Sequence, residues 1–210
     1  DENSEVFPLT AYSKANRKAE IDNLALNDEE FTVTALRFSS LFGVSPRMRF
    51  DMAINEMVLE LYKTKKITVR GKTNQRPFLH LKDAVDVYKL VFNASKEKIA
   101  GHIFNVGTDA QNYKIGDLAE EVAKSIDVNC TIELGNNEDH RSYFTSFKKI
   151  HDVLSFSPKF DVTYGAKEMF TALENHEIND SLETFTLKWY KHIMSDKNLT
   201  EEFSIDGKLL

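Results

Sequence analysis

The sequence predicts an α/β fold organised around a parallel sheet. Short apolar, β-branched segments alternate along the chain with longer segments whose apolar residues recur at helical intervals. Neither an internal repeat nor a low-complexity linker interrupts this alternation. The chain has 210 residues, of which 41% are hydrophobic, and is therefore long enough to bury a substantial core. We expect one continuous α/β unit over residues 1–210.

The beginning of the chain predicts a helix and then a buried strand. Pro8 and Thr10 precede a stretch in which apolar residues recur at helical intervals, and we expect this helix to end near Asn27. Residues 31–37 form a short segment rich in apolar and β-branched residues, which is typical of a strand buried in a parallel sheet. Residues 39–43 begin with two serines and end in a glycine, and they predict a turn after the strand.

The same alternation continues over the rest of the chain. Helical spacing of apolar residues predicts further helices over residues 54–62, 84–92, 115–126 and 185–193. Short extended segments are predicted at residues 67–70, 78–81, 103–106, 131–134 and 143–147. Asp83 is a candidate cap for the helix that follows it. The polar tail over residues 196–210 is expected to fray.

The charge and hydropathy of the chain exclude several classes of partner. The 27 basic and 33 acidic residues are spread along the chain and give a net charge of -6, so neither nucleic acid nor a membrane surface is expected to bind. No apolar run approaches the length of a membrane span, and the acidic first residues do not resemble the start of a signal peptide. We therefore expect a cytoplasmic protein.

Cysteine and histidine give no sign of a metal site. Cys130 is the single cysteine, which excludes an internal disulfide, and its apolar neighbours predict a buried, inert thiol. His140 and His151 have no ligand-type partner at helical spacing, so no metal is implied. His80 alternates with apolar residues in a strand-like segment, which favours a structural role with the Asp83 carboxylate or a backbone group as its partner.

Five sequence features carry a family resemblance when they are taken together and in order. The first is the set of residues Tyr12, Asn16 and Glu20, spaced four apart on the first predicted helix. The other four are the continuous segments LRFSSLFGVSPRMRFD (36–51), QRPFLHLKD (75–83), FNVG (104–107) and DHRSY (139–143). This set resembles the extended short-chain dehydrogenase/reductase family, and within it the NAD-dependent nucleotide-sugar epimerases and dehydratases. The resemblance covers residues 1 to about 173.

The resemblance implies a particular part of that family's fold. It implies the C-terminal part of a Rossmann-like parallel sheet, together with a small α/β substrate-binding subdomain. Residues 1–45 and about 82–107 would then be a remnant of the dinucleotide-binding domain, and about 46–81 and 108–180 the substrate-binding subdomain. The glycine-rich turn that holds the cofactor diphosphate in the family has no counterpart, because the glycines of this chain form no G-x-G-x-x-G run.

The family's catalytic helix is altered in this chain. In the family a tyrosine and a lysine four residues apart share one helical face, and the nearby ammonium lowers the pKa of a phenol that removes a proton from a sugar hydroxyl. The resemblance places Tyr12 and Asn16 at these positions, and an asparagine can form hydrogen bonds but carries no charge. Taken alone, this spacing is more typical of a half-buried tyrosine on an amphipathic helix.

The resemblance also assigns binding residues. Tyr12, Asn16, Phe38, Ser39 and Ser40 would face the cofactor, which is NAD in the complete family enzyme and which we do not expect this chain to bind. A nucleotide-diphosphate sugar would be held by the set Arg47, Arg49, Asn55, Arg76 and Arg141.

The two arginines assigned to the diphosphate have a clear chemical rationale. The guanidinium groups of Arg76 and Arg141 could each make bidentate, charge-assisted bonds that a lysine cannot match in geometry. The alternative for each is an ordinary surface ion pair. Of Arg47 and Arg49, one would contact the ligand or a neighbouring subunit and the other would only anchor the turn. The alternative for Asn55 is a position on a solvated helix face.

The sequence therefore predicts a fragment of an NAD-dependent nucleotide-sugar epimerase or dehydratase that is inactive as this chain. The alternative is a non-catalytic module that binds nucleotide sugar or serves assembly. We also expect a homodimer or larger self-association through residues 11–37, because the family's corresponding helix packs against its copy and because a strand lacking neighbours exposes an edge.

Overall fold

The computed structural model describes residues 1–136, 141–205 and 208–209. The helices are α1 (Ala11–Leu24), α2 (Ala53–Thr64), α3 (Leu81–Asn93), α4 (Lys96–Ile99), α5 (Ile115–Ser125), α6 (Lys148–Leu154), α7 (Val162–Glu174), α8 (Thr186–Ser195) and α9 (Lys197–Glu202). The strands are β1 (Ala35–Phe38), β2 (Ser40–Phe42), β3 (Lys66–Val69), β4 (Gln75–His80), β5 (Ile103–Val106), β6 (Asn112–Lys114), β7 (Thr131–Leu134), β8 (Ser204–Ile205) and β9 (Lys208–Leu209).

The strands pair mainly in parallel, which confirms the predicted α/β class. Strand β1 pairs with β5, β2 with β4, and β3 with β7, all in parallel, while β6 adds to β4 in the antiparallel sense. In this register Arg37 lies opposite Asn105, and Phe42 lies opposite His80. Parallel pairs require crossover connections, and helices supply them here.

Two apolar clusters form the core. The larger lies among α2, α5, α7 and β3 and includes the fully buried residues Ile54, Leu61, Ile67, Leu118 and Met169. The smaller lies around β4, β5, α3 and α6 and includes Leu79, Phe104, Val106 and Ile150. Burying a side chain of this size stabilises the fold by about 1.5–3 kcal/mol.

An ion pair, rather than apolar packing, attaches helix α1 to strand β1. Thr10 and Ser13 form a capping box at its start, and none of its residues is buried. Glu20 receives two hydrogen bonds from Arg37 of β1, at 2.7 Å from Nε and 2.8 Å from Nη2. This hydrogen bonding is the main reason that the pKa of Glu20 is lowered and that the pKa of Arg37 is raised. The helix is therefore held against β1 by a half-buried ion pair.

Three expectations differ from the structure near the strands. Strand β1 starts at Ala35 rather than at residue 31, and residues 40–42 of the expected turn form β2, because they pair with β4. Residues 143–147 form no strand. The side-chain amide of Asn112 instead takes the place of a strand partner, since it donates to Thr145 O and accepts from Thr145 N, both at 3.0 Å.

The caps and the C-terminal region also differ from expectation. Asp83 does not cap α3, because its buried carboxylate accepts the backbone N–H groups of Lys159 and Phe160 at 2.8 and 3.1 Å. His80 caps the helix instead. The tail expected to fray contains α9, whose cap Asp196 accepts two backbone N–H groups. Cys130 is half-buried beside the larger cluster.

Candidate functional site

Arg76 and Arg141 line one cavity of about 300 Å³. Arg76 belongs to β4, and Arg141 lies in the segment that follows β7. Ser40 of β2 lines the same cavity. The remaining lining residues are Asp51, Met52, Ala53, Glu56, Met57, Thr68, Arg70, Asn74, Phe78 and Ile115. The fold thus brings together the two arginines that the sequence assigned to a diphosphate.

The neighbours of Arg141 hold it beside β4. Tyr143 N donates to Gln75 O at 3.1 Å, and Gln75 N donates to the Ser142 hydroxyl at 3.0 Å. The Arg76 guanidinium lies over the Tyr143 ring, 4.9 Å from its centroid, and Nη1 also donates to Gln75 O at 2.8 Å. The segment after β7 therefore follows the edge of β4 and orients the Arg76 side chain. Asp139 and His140 of the DHRSY motif lie outside the described residues.

The cavity also contains carboxylates. Asp51 and Glu56 are part of its lining, and Glu56 Oε1 lies 3.2 Å from Arg70 Nη1. Burial raises the pKa of Glu56, and the positive charge of Arg70 opposes that rise. Guanidinium donors suit a diphosphate, whereas carboxylate acceptors suit hydroxyl groups. The lining can therefore contact both parts of a ligand that joins a diphosphate to a sugar.

The other residues assigned to the nucleotide sugar do not line this cavity. Arg49 forms a two-point ion pair with Asp51, with both N–O distances at 3.1 Å. Arg47 lines a separate cavity of about 580 Å³ and donates to Glu183 O at 3.4 Å. Asn55 is buried, so the solvated helix face considered for it is wrong. Its ligand-binding role stays a prediction.

Tyr12, Asn16 and Phe38 line a different groove, of about 600 Å³, between α1 and β1. The Tyr12 side chain is 80% exposed, which excludes the half-buried tyrosine considered for this helix. Ser39 is buried at the end of β1, where its hydroxyl donates to Val106 O at 2.8 Å. Phe38 and Ser39 also line a cavity of about 420 Å³ together. The residues assigned to the cofactor are therefore divided among the groove beside α1, this cavity and the arginine cavity that Ser40 lines.

The groove beside α1 does not fit the diphosphate of a dinucleotide. The residues that line it include no glycine, and its cation Arg37 is paired with Glu20. The N-terminus of α1, which could otherwise bind a phosphate through its free N–H groups, is capped by Thr10 and Ser13. The described residues at this groove thus supply neither a backbone cradle nor an unpaired positive charge.

His80 forms a contact that the sequence did not reveal. Its ring is fully buried, and Nε2 lies 3.0 Å from Glu168 Oε2 of α7. Nδ1 accepts the backbone N–H of Lys82 at 3.2 Å, which confirms a backbone partner. The Asp83 carboxylate was the wrong choice of side-chain partner. Glu168 was missed because the two residues are 88 positions apart and neither lies in a motif that names the other.

Two features are absent from the part of the chain that the structure describes. No helix there combines the length and the apolar character needed to cross a bilayer. Within the same residues, no group of three or more His, Cys, Asp or Glu side chains is arranged to hold a metal ion.

Comparison with known proteins gives one family match and several structural neighbours. Residues 1–107 match the model of the NAD dependent epimerase/dehydratase family. The structure resembles RMD from Pseudomonas aeruginosa, solved with NADPH, with a TM-score of 0.73 and 18% identity, over 84% of this chain and 60% of that one.

Two further neighbours show the same fold. UDP-glucuronic acid 4-epimerase from Bacillus cereus, solved with UDP-glucuronic acid and NAD, gives a TM-score of 0.72 and 19% identity over 84% of this chain and 56% of its own. dTDP-glucose 4,6-dehydratase from Bacillus anthracis, solved with NAD, gives 0.69 and 21%, with the same coverages of 84% and 56%. The chain therefore spans 56–60% of the length of these three proteins.

Proposed function

This chain belongs to the NAD dependent epimerase/dehydratase family, and we propose that it carries the part of such an enzyme that binds the nucleotide-sugar substrate. The observation that carries this proposal is the cavity that Arg76 and Arg141 line together. Two guanidinium groups in one cavity can share the two phosphates of a diphosphate through paired, charge-assisted hydrogen bonds.

Two contacts orient the Arg76 side chain, which supports its assignment to a ligand site. The Tyr143 ring and the Gln75 carbonyl both contact its guanidinium, so the side chain is oriented before a ligand arrives. Such preorganisation reduces the conformational entropy that binding would otherwise cost. The carboxylates of Asp51 and Glu56 lie in the same lining, where they can accept hydrogen bonds from sugar hydroxyl groups.

We assign the parts of the chain from the family resemblance. Residues 1–45 and about 82–107 correspond to part of the dinucleotide-binding domain, and residues from about 46–81 and 108–180 to the substrate-binding subdomain. The chain spans 56–60% of its solved neighbours, which supports its being a part of a longer family fold. In a complete family enzyme NAD would accept and return a hydride.

The chain alone is proposed to bind NAD poorly and to have no turnover. The groove beside Tyr12 lacks a phosphate cradle, and Asn16 stands at the lysine position without a charge. The same altered position supports the second candidate function, a non-catalytic module that binds nucleotide sugar or serves assembly. Sequence upstream of this chain separates the two, because a glycine-rich β-α segment there indicates an enzyme.

Self-association through residues 11–37 is part of the proposal. Helix α1 buries none of its residues, and Tyr12, Ile21 and Phe31 are each more than half exposed at 80%, 52% and 56%. Apolar surface of this kind favours a two-fold contact between copies. Light scattering at high micromolar concentration should show a dimer or larger species, and a stable monomer would contradict it.

Calorimetry tests the central claim. Nucleotide-diphosphate sugars with uridine, thymidine and guanosine should each be titrated into the chain. NAD should be titrated separately, and its affinity compared with theirs. We expect at least one sugar nucleotide to bind more tightly than NAD. Arg76→Ala and Arg141→Ala should each weaken that binding by about tenfold or more, because each removes a charged hydrogen-bond donor.

Lys124→Ala provides the control, since it removes an exposed positive charge from α5. Its affinity should equal that of the wild type. Tighter binding of NAD than of every sugar nucleotide would refute the proposal, as would an equal loss of affinity in all three variants.

A further inference from the structure

We propose that Glu168 is a positioning residue for the nucleotide-sugar cavity, an inference that rests on the proposed function. Glu168 lies on α7 and does not line the cavity itself. Its carboxylate contacts three residues from two separate parts of the chain, the loop after β2 and the junction of β4 with α3. Oε2 lies 3.0 Å from His80 Nε2 and accepts Val44 N–H at 3.4 Å, and Oε1 accepts the Lys82 ammonium at 2.5 Å.

The protonation state of His80 follows from its two contacts. Because Nδ1 accepts the backbone N–H of Lys82, the proton of the neutral ring resides on Nε2 and is donated to Glu168. The rings of Phe42, Phe160 and Tyr164 surround the imidazole, with centroids 5.2–5.5 Å away. A buried N–H in such surroundings needs an acceptor, and Glu168 supplies it.

Two glycines allow the backbone to approach the His80 ring closely. A Cβ at Gly43 would lie 2.6 Å from His80 Nε2, and Gly43 also has a φ of +116°, which favours glycine. A Cβ at Gly165 would lie 2.5 Å from the Phe42 ring and 3.0 Å from His80 Cδ2. The backbone therefore approaches the His80 ring closely from the residue after β2 and from α7.

One path leads from Glu168 to the first wall of the cavity. Val44 N–H donates to the carboxylate, and the preceding Gly43 N–H donates to Asn55 Oδ1 at 3.4 Å. Asn55 Nδ2 then donates to Arg49 O at 3.0 Å, and Arg49 pairs with Asp51. Asp51 belongs to the cavity lining. The loop over residues 43–51, which leads to Asp51, is thus held near its start by Glu168 and at Gly43 and Arg49 by Asn55.

A second path leads to the opposite wall. His80 is the last residue of β4, and Arg76 and Phe78 of the same strand line the cavity. Arg76 and His80 lie four residues apart on one continuous hydrogen-bonded strand, so a displacement of the strand end at His80 is passed on to Arg76. The Glu168 carboxylate contacts both Val44 and His80. It therefore sets the position of the side of the cavity that Asp51 lines relative to the side that Arg76 lines.

The test uses three substitutions on the same helix. Glu168→Met removes the acceptor at similar volume, Glu168→Gln keeps an acceptor for His80, and Thr163→Val is the matched control. Thr163 also lies on α7 in a part-buried network, but its hydroxyl donates to Glu121 of α5 at 2.6 Å. Two quantities are measured for each: amide hydrogen exchange at Gly43 and Val44, and the affinity for UDP, GDP and dTDP.

The expected pattern separates positioning from a loss of stability. Glu168→Met should accelerate exchange at Gly43 and Val44 and weaken nucleotide binding by about tenfold, because a displaced guanidinium loses a charge-assisted hydrogen bond to the phosphates. Glu168→Gln should retain most of both properties, and Thr163→Val should retain both even where it lowers the melting temperature. If Glu168→Met does not fold, Glu168→Asp withdraws the carboxylate by one methylene and should change both quantities in the same direction.

The two proposals fail in different ways. Exchange at Gly43 and Val44 that is unchanged in Glu168→Met and Glu168→Asp refutes the positioning role. Equal losses of affinity in Thr163→Val and Glu168→Met refute it too, because they would reflect stability alone. If the wild type binds none of the three nucleotides, the proposed function itself fails, whatever the exchange data show.

Discussion

The guanidinium of Arg76 packs on the ring of Tyr143, with 4.9 Å between the guanidinium carbon and the ring centroid. The two residues come from β4 and from the segment after β7, which are 67 positions apart. Tyr143 lies two residues after Arg141, so this contact brings Arg76 close to the segment that carries Arg141, and both arginines line one cavity. A cation over an aromatic ring contributes about 0.5–1 kcal/mol at an exposed site and more where water is excluded.

The ring of Tyr143, rather than its hydroxyl, is expected to support ligand binding. Tyr143→Phe should keep the affinity for nucleotide diphosphates within about twofold, because the aromatic face remains. Tyr143→Leu should weaken it by about three- to fivefold, since Arg76 loses the surface that orients it. Calorimetry on the two variants checks this, and a larger loss in Tyr143→Phe would show that the hydroxyl matters instead.

The Glu20–Arg37 pair should stabilise the fold measurably. Only 12% and 23% of these side chains are exposed, and Arg37 donates twice to the carboxylate. We expect Glu20→Gln to lower the free energy of unfolding by about 1–2 kcal/mol, because it weakens charged hydrogen bonds. Urea unfolding measures this change.

The control for that experiment is an exposed pair on the same helix. Lys18 and Asp22 pair at 2.7 Å with 76% and 56% of their side chains exposed. Lys18→Ala should therefore change the free energy of unfolding by no more than about 0.5 kcal/mol. A loss in Lys18→Ala equal to that in Glu20→Gln would show that the helix is stabilised by charge in general and not by its contact with β1.

Acid should destabilise the chain through His80. Burial, offset only in part by the hydrogen bond to Glu168, lowers the pKa of His80 below its ordinary value of 6.5. The unfolded chain then takes up a proton at higher pH than the folded chain does. The stability contributed by the neutral ring is therefore complete above about pH 6.5 and falls as the pH drops toward the folded pKa.

Glu168 adds a second loss at lower pH. Burial favours its protonated form, but hydrogen bonds from Lys82 and His80 outweigh burial and lower its pKa below 4.5. Urea unfolding between pH 8 and pH 3 should show both losses, and an NMR titration of the His80 ring should show the midpoint of the first. His151→Asn, at an exposed histidine, should leave both losses unchanged. A midpoint for His80 above 6.5 would contradict the prediction.

The sequence predicted the elements whose apolar pattern is long and regular. Helices α2, α3 and α5 were located within a few residues because each presents an apolar stripe to the core. Strand β2 was mistaken for part of a turn, since the segment 39–43 begins with two serines and ends in a glycine, and only the pairing of residues 40–42 with β4 makes them a strand. A side-chain amide from Asn112 likewise replaced the strand expected at residues 143–147, and no periodic pattern signals such a contact.

The candidate site was predictable only in part for a similar reason. Ordered motifs pointed to Arg76 and Arg141, which the fold then placed in one cavity. The same motifs did not indicate that Asn55 is buried against backbone groups, nor that Glu168 is the partner of His80. Those contacts depend on how distant elements pack, which local spacing does not determine.

The last prediction concerns the altered position on α1. Asn16→Lys restores the charge that a tyrosine and lysine pair would need on one helical face. We expect it to produce no turnover of a nucleotide sugar in the 210-residue chain supplied with NAD, because the groove it enters lacks a phosphate cradle and one charge cannot replace a bound hydride acceptor. The same substitution in a version extended with a glycine-rich dinucleotide-binding half should raise turnover above that of the extended chain with Asn16. Absorbance of reduced nicotinamide and chromatography of the sugar nucleotide measure both cases. Lys14→Asn is the matched control, since Lys14 is exposed and lies off the face shared by Tyr12 and Asn16. Turnover by the 210-residue Asn16→Lys protein would show that the described groove holds the cofactor after all.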